Sequence, residues 1–145
     1  MELTQPAQIC KLLAATRRIA VLGIKTSAQA DQPAFYVPQY LLHAGFDVIP
    51  VPVYYPEINE ILGRPVYRRL ADIPGTIDLV DVFRRSADVE KHLDDLLAAK
   101  PKAVWFQLGI RNQRVAQALV QAGISVVQDR CLMVEHRQCL AQATS

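Results

Sequence analysis

With 145 residues, 51% of them hydrophobic, the chain has the usual length of one domain and enough apolar side chains to bury a core. Sixteen basic against fourteen acidic residues leave a formal charge of +2, too little for a protein that holds nucleic acid by neutralising many phosphates. The N-terminus lacks a basic, apolar signal segment, no run approaches the roughly 18 apolar residues of a membrane span, and three cysteines without a CxxC pair argue against a disulfide framework, so a cytoplasmic chain with reduced thiols is expected.

No repeat or linker divides the chain, and a single domain over residues 1–145 is expected. An opening helix, about Pro6 to Ala15, carries Ile9, Leu12 and Leu13 as a narrow apolar stripe, with Thr4 as its cap. The first strand, Ile19 to Gly23, is continuously apolar, as a strand covered on both faces must be. Val37, Tyr40, Leu41 and Ala44 mark a helix that ends at Gly45, and a second strand follows at Phe46 to Val53. The stretch Glu57 to Gly75 holds turn signals without a sustained period and reads as an irregular connection. A third strand, Ile77 to Phe83, leads to a helix with Ser86 as N-cap and Val89, Leu93, Leu96 and Leu97 on one face. A fourth strand at Ala103 to Leu108, a helix at Gln113 to Ala122, a fifth strand at Ser125 to Gln128 and a helical tail complete the chain. This alternation predicts an α/β, doubly wound, five-stranded parallel Rossmann-like sheet with helices on both faces and strand order 3-2-1-4-5.

In such a sheet ligands bind beyond the carboxyl ends of the strands. The first of these ends, Gly23-Ile24-Lys25-Thr26-Ser27, offers close backbone approach, hydroxyls, an ammonium and a following helix N-terminus, all suited to a phosphate. It is not a GxGxxG loop, and the second end, Pro50-Val51-Pro52-Val53, lacks the carboxylate that accepts from the ribose of NAD. The prolines there form either an apolar ledge for an adenine ring or a plain strand terminus. Phe83-Arg84-Arg85-Ser86 sets two guanidiniums beside a helix N-terminus, which suits an anion or, equally, a solvated salt bridge. Trp105 and Phe106 read as core, whereas Gln107 and Gly109 lie at the rim and are ligand candidates.

The chain resembles the small CoA-binding protein family, whose single Rossmann-like domain is similar to the CoA-binding domain of the succinyl-CoA synthetase α subunit. The resemblance covers about Ile19 to Glu135 and is carried by Ala20-Val21-Leu22-Gly23, Gly45-Phe46-Asp47-Val48-Ile49-Pro50-Val51, Asp78-Leu79-Val80-Asp81-Val82-Phe83-Arg84-Arg85, Val104-Trp105-Phe106-Gln107-Leu108-Gly109 and Asp129-Arg130-Cys131. It implies that Gly23 to Ser27 hold the phosphates of coenzyme A, that Pro50 to Val53 flank the adenosine, and that Phe83 and Arg84 line the groove toward the pantetheine. Two departures remove polar groups near that nucleotide: Gln32-Pro33 where relatives often show Arg-Pro, and Pro50-Val51-Pro52-Val53 where they show Pro-Val-Asn-Pro.

The expected function is non-catalytic binding of coenzyme A or an acyl-CoA. Enzymes of the wider superfamily take a phosphorylated histidine from another domain, and this chain has no histidine at a strand end. The alternatives are an enzyme acting through Cys131 on a CoA thioester or disulfide, with His136 as the one nearby base, and a protein-interaction domain with a degenerate nucleotide site. His43 and His92 are expected to face solvent. Cys131, Glu135 and Cys139 could share a helical face but form no recognised metal motif, so no metal is expected; a homo-oligomer could use the terminal helices as contact surfaces, but no heptad or unmatched apolar stripe fixes an interface, and the oligomeric state stays open.

Overall fold

Apolar runs become parallel strands here because helices cover both of their faces. The computed structural model describes residues 1–144. In chain order it holds α1 (Pro6–Ala14), β1 (Arg18–Leu22), α2 (Pro33–His43), β2 (Asp47–Val51), β3 (Glu60–Ile61), β4 (Arg64–Pro65), β5 (Leu79–Val82), α3 (Leu93–Ala99), β6 (Ala103–Phe106), α4 (Gln113–Gln121), β7 (Ser125–Val127) and α5 (Leu132–Thr144). Among the described residues β1, β2, β5, β6 and β7 form one parallel sheet, and β3 and β4 a separate short hairpin.

Alternation along the strands sorts the core into two layers. Ala20, Leu22, Val80, Val82 and Phe106 meet the stretch Leu70 to Ile77, α3 and α4, whereas Ile19, Val21, Leu79 and Trp105 meet α1, α2 and α5. Trp105 and Phe106 are wholly buried on opposite faces of β6.

The strand order is β2-β1-β5-β6-β7, which corrects the expected 3-2-1-4-5: the third long strand pairs with β1, and β2 stands at the edge. Proline chemistry accounts for this. Asp47 N–H donates to the Arg17 carbonyl and the Val51 carbonyl accepts from Gly23, so the intervening Pro50 turns its backbone away from β1. A nitrogen without hydrogen there cannot donate to a further strand, which confines β2 to the edge. The Pro50 carbonyl accepts instead from Tyr67 N–H at 3.0 Å, in the irregular connection that the turn signals predicted.

Two further expectations are corrected. Ser86 does not cap a long helix; Ser86–His92 is a 3-10 segment, α3 starts only at Leu93, and Ser86 Oγ accepts from Arg111 N–H. Cys10 and Cys139 are joined in a disulfide rather than reduced, because α1 and α5 lie side by side and bring together residues 129 apart in sequence.

Candidate ligand groove

With β2 on one side of β1 and all later strands on the other, the switch point of the sheet lies between β1 and β5. The loops leaving these two strands touch: Gly23, with φ of +87°, approaches so closely that an added Cβ would lie 2.3 Å from the Phe83 carbonyl oxygen. Beyond them opens a groove of about 440 Å³. Lys25, Gln32, Pro33, Ala34 and Tyr36 form one wall; Phe83, Arg84 and Arg85 form another; residues Gln107 to Ile110 and Cys131 complete it.

On the Lys25 wall, Gln32 at the N-cap of α2 accepts a hydrogen bond from the Lys25 ammonium, and Lys25 N–H donates to the Ala34 carbonyl at 3.1 Å. The N-terminus of α2 therefore opens on the groove, which favours an anion there. Thr26 and Ser27 lead into a three-residue 3-10 turn rather than an α-helix, and with Phe35 and residues 58–62 they line a second cavity of about 520 Å³. Thr26 Oγ1 donates to Gln29 Oε1 at 2.9 Å, and Ile24 is 1% exposed, so neither reaches the first groove.

On the opposite wall, Arg84 is held from several sides. Its Nε donates to His92 Nε2 at 3.1 Å, its guanidinium lies 5.7 Å from the centre of the Tyr54 ring, and Nη2 is 3.9 Å from Asp88 Oδ2. Asp88 also accepts from Arg85 and Lys91, both at 3.0 Å, and hydrogen bonds from Lys91 and Arg85 hold its carboxyl below the usual range. The anion called for by two arginines at a strand end is thus supplied in part by the chain, yet three cations share this one carboxylate and positive charge is left over. His92 does not face solvent freely: it is half-buried, and burial followed by the charge of Arg84 lowers its pKa. His43 is exposed.

Residues 17–137 match the family model of a CoA binding domain. The chain belongs to this CoA-binding domain family. It is similar to protein YneT of Bacillus subtilis (strain 168), with 34% identity over 136 residues that cover 94% of this chain and 97% of that one. Among solved structures, cell-free ID.343 from Thermus thermophilus is 38% identical with a TM-score of 0.85, over 94% of this chain and 99% of the other. A hypothetical protein from Pyrococcus horikoshii OT3 is 31% identical with a TM-score of 0.83, over 94% and 93%.

Within this CoA-binding domain the residues named from sequence divide into two sets. Lys25, Phe83, Arg84, Arg85, Gln107 and Gly109 come together in the groove; Pro50, Val51, Pro52 and Val53 do not, because Pro50 to Pro52 are buried and Val53 packs on the core beside Tyr67. Gln107, 3% exposed, accepts from Leu132 N–H through Oε1 at 3.0 Å, and Gly109 N–H donates to Asp129 Oδ1 at 2.6 Å. Cys131 lines the groove just before α5, but His136 is not beside it as a base: its Nδ1 lies 2.7 Å from Tyr40 Oη, with the Phe46 ring edge-on. Arg130 is likewise committed, to Glu135 at 2.6 Å and to the Thr4 carbonyl.

One buried group of this CoA-binding domain went unweighed in the sequence. Asp81 sits in β5 between Val21 and Trp105, one pleat beneath Phe83 and Gln107, wholly buried, with neither carboxyl oxygen partnered among the described residues. Burial raises its pKa well above the ordinary carboxyl value. The signal was a carboxylate inside the apolar run Leu79-Val80-Asp81-Val82.

Proposed function

We propose that this protein binds coenzyme A or an acyl-CoA in the groove between the ends of β1 and β5 and does not by itself catalyse a reaction on it. The observation that carries the reading is that Lys25, Arg84 and Arg85 line a groove whose other walls include the apolar Phe83 and Ile110. Such a mixture suits a ligand that joins phosphates to a neutral, extended arm. Family membership supports the same ligand class. The two departures from the family pattern are compatible with retained binding. Gln32 holds the Lys25 ammonium where a second cation would repel it, and Pro52 is buried outside the groove. His136, the histidine nearest to Cys131 in sequence, is engaged with Tyr40, which favours binding over turnover.

Isothermal titration of stripped protein with CoA, NAD and ATP tests the reading. Saturable CoA binding well above both controls is expected, weakened about ten- to hundredfold by Arg84→Ala or Lys25→Ala, the loss of one charge-assisted contact. Folded protein that binds none of the three would replace this reading with that of an interaction domain whose nucleotide site is degenerate.

A further inference from the structure

Helix α5 is fastened by different means along its length. Leu132, in its first turn, is wholly buried and its N–H donates to Gln107 Oε1 at 3.0 Å, whereas among residues 137–143 only Cys139 is not exposed. Cys139 is bonded to Cys10 of α1, and α1 has its own anchors in the buried Ile9 and Leu13. Apolar burial therefore holds the start of α5, and a covalent bond to an anchored neighbour holds its far half.

The same helix supports two walls of the ligand groove. Cys131, just before it, lines the groove, and Leu132 is tied to Gln107 in the same wall. One turn before Cys139, His136 bonds with Tyr40 of α2 and stands edge-on to Phe46. Helix α2 in turn sets Gln32, Pro33 and Ala34 on another wall. The Cys10–Cys139 bond is also open to attack. Both of its cysteines are only half-buried, and they line a surface cavity of about 400 Å³ together with Lys11, His136 and Leu140. The Lys11 cation favours the thiolates that exchange at this bond creates. Because Cys10 and Cys139 lie outside residues 17–137, opening the bond breaks no contact internal to the CoA-binding domain.

Resting on the CoA-binding reading above, we propose that the Cys10–Cys139 pair is a redox switch on the groove. Closed, it holds α5, and through His136 and Tyr40 also α2, in the arrangement that binds the ligand. Opened by a dithiol reductant, it frees the far half of α5 and weakens binding. In that step a thiolate of the dithiol attacks one sulfur of the pair, the Cys10–Cys139 bond breaks, and a mixed disulfide forms. The second thiol of the reductant then displaces the attached cysteine. The reductant leaves as its own disulfide, oxidised by two electrons, and Cys10 and Cys139 take up two protons as thiols. Coupling is reciprocal, so bound ligand makes the pair harder to reduce by the same factor.

Titration of desulfo-CoA, which has no thiol to disturb the pair, tests this on the full chain in its oxidised form and after reduction by a phosphine. Free thiols verify the state: one, Cys131, before reduction and all three cysteines after it. Reduction is expected to weaken binding at least about fivefold, the lower end of ordinary coupling between sites, and to speed amide hydrogen exchange along α5 while far-UV circular dichroism keeps the fold's signature. Cys10→Ala with Cys139→Ala should bind as the reduced chain does, and phosphine should not weaken it further; a further loss would assign the response to Cys131 and overturn the switch. Equal affinity of the two forms, or loss of the whole fold on reduction, overturns the switch and leaves the CoA reading in place. Binding of desulfo-CoA by neither form overturns the CoA reading, and amide exchange at residues 131–136 then decides alone: unchanged rates overturn the switch as well, and faster rates in the reduced chain retain it as a control on the groove wall.

Discussion

Arg84 is held in the groove wall by its neighbours: His92 accepts from its Nε, Tyr54 lies under its guanidinium, and Asp88 balances part of its charge. The His92 contact requires an unprotonated Nε2, and the pKa of His92 is lowered from 6.5, first by burial and then by Arg84. A histidine whose folded pKa is depressed leaves the unfolded chain to take the proton first. Its contribution to stability is therefore complete above about pH 6.5 and is lost as pH falls below that value. The melting temperature should drop between pH 7 and pH 5, and His92→Gln, which keeps an acceptor for Arg84, should flatten that part of the profile; an unchanged slope in the variant would remove His92 as its source. Burial lowers His136 in the same direction, so His136→Asn is the companion control. Gly23 makes a different demand. At φ of +87° and with the Phe83 carbonyl 2.3 Å from any Cβ, alanine must push β1 and β5 apart at their carboxyl ends. Gly23→Ala should lower the unfolding free energy by more than about 2 kcal/mol in urea titration.

Among the elements, β5 carries the conflict. It lies inside the sheet between β1 and β6, yet holds the unpartnered carboxyl of Asp81 beneath the groove floor. With a raised folded pKa, the native state retains a proton that the unfolded chain releases, so the stability cost of this group is smallest below pH 3.8 and grows as pH rises above it. Asp81→Val should therefore raise the unfolding free energy by about 1–3 kcal/mol at pH 7, the usual cost of an unsatisfied buried polar group, and by less at pH 4. Denaturant titrations at the two pH values measure both the gain and its sign; a loss of stability at pH 7 would mean that Asp81 is satisfied in solution. Helices α2 and α5 are tied to one another by the bond between Tyr40 and His136, and each sends its N-terminal end to the groove, through Gln32 to Ala34 and through Cys131. The groove is thus built by a pair of helices on one face of the sheet as well as by strand ends.

At the scale of the whole molecule, the Cys10–Cys139 bond joins the first helix to the last and closes nearly the entire chain. In the chain-entropy account a loop of that length contributes up to about 4–5 kcal/mol by restricting the unfolded ensemble. Cys10→Ala with Cys139→Ala should lower the melting temperature by several degrees or more, whereas Cys131→Ser should leave it nearly unchanged. Both bonded cysteines lie outside residues 17–137, so this closure is added around the CoA-binding domain rather than within it. The long elements were legible from the chain alone, because continuous apolar runs and a helical period of Val37, Tyr40 and Leu41 are local properties that burial on two faces requires. So were Lys25, Phe83, Arg84, Arg85, Gln107 and Gly109 as strand-end residues, since their positions follow from where each apolar run stops. The strand order was in principle written in Pro50, but its meaning depends on which side of β2 its nitrogen faces, and register is a property of the pair. Sequence by itself thus determined the class of fold, the family and the strand-end residues that line one groove. Tertiary structure alone decided the switch point between β1 and β5, the burial of Pro50 to Pro52 away from the groove, the pairing of Arg84 with His92, and the disulfide, because each depends on contacts between residues that the chain separates and only packing brings together.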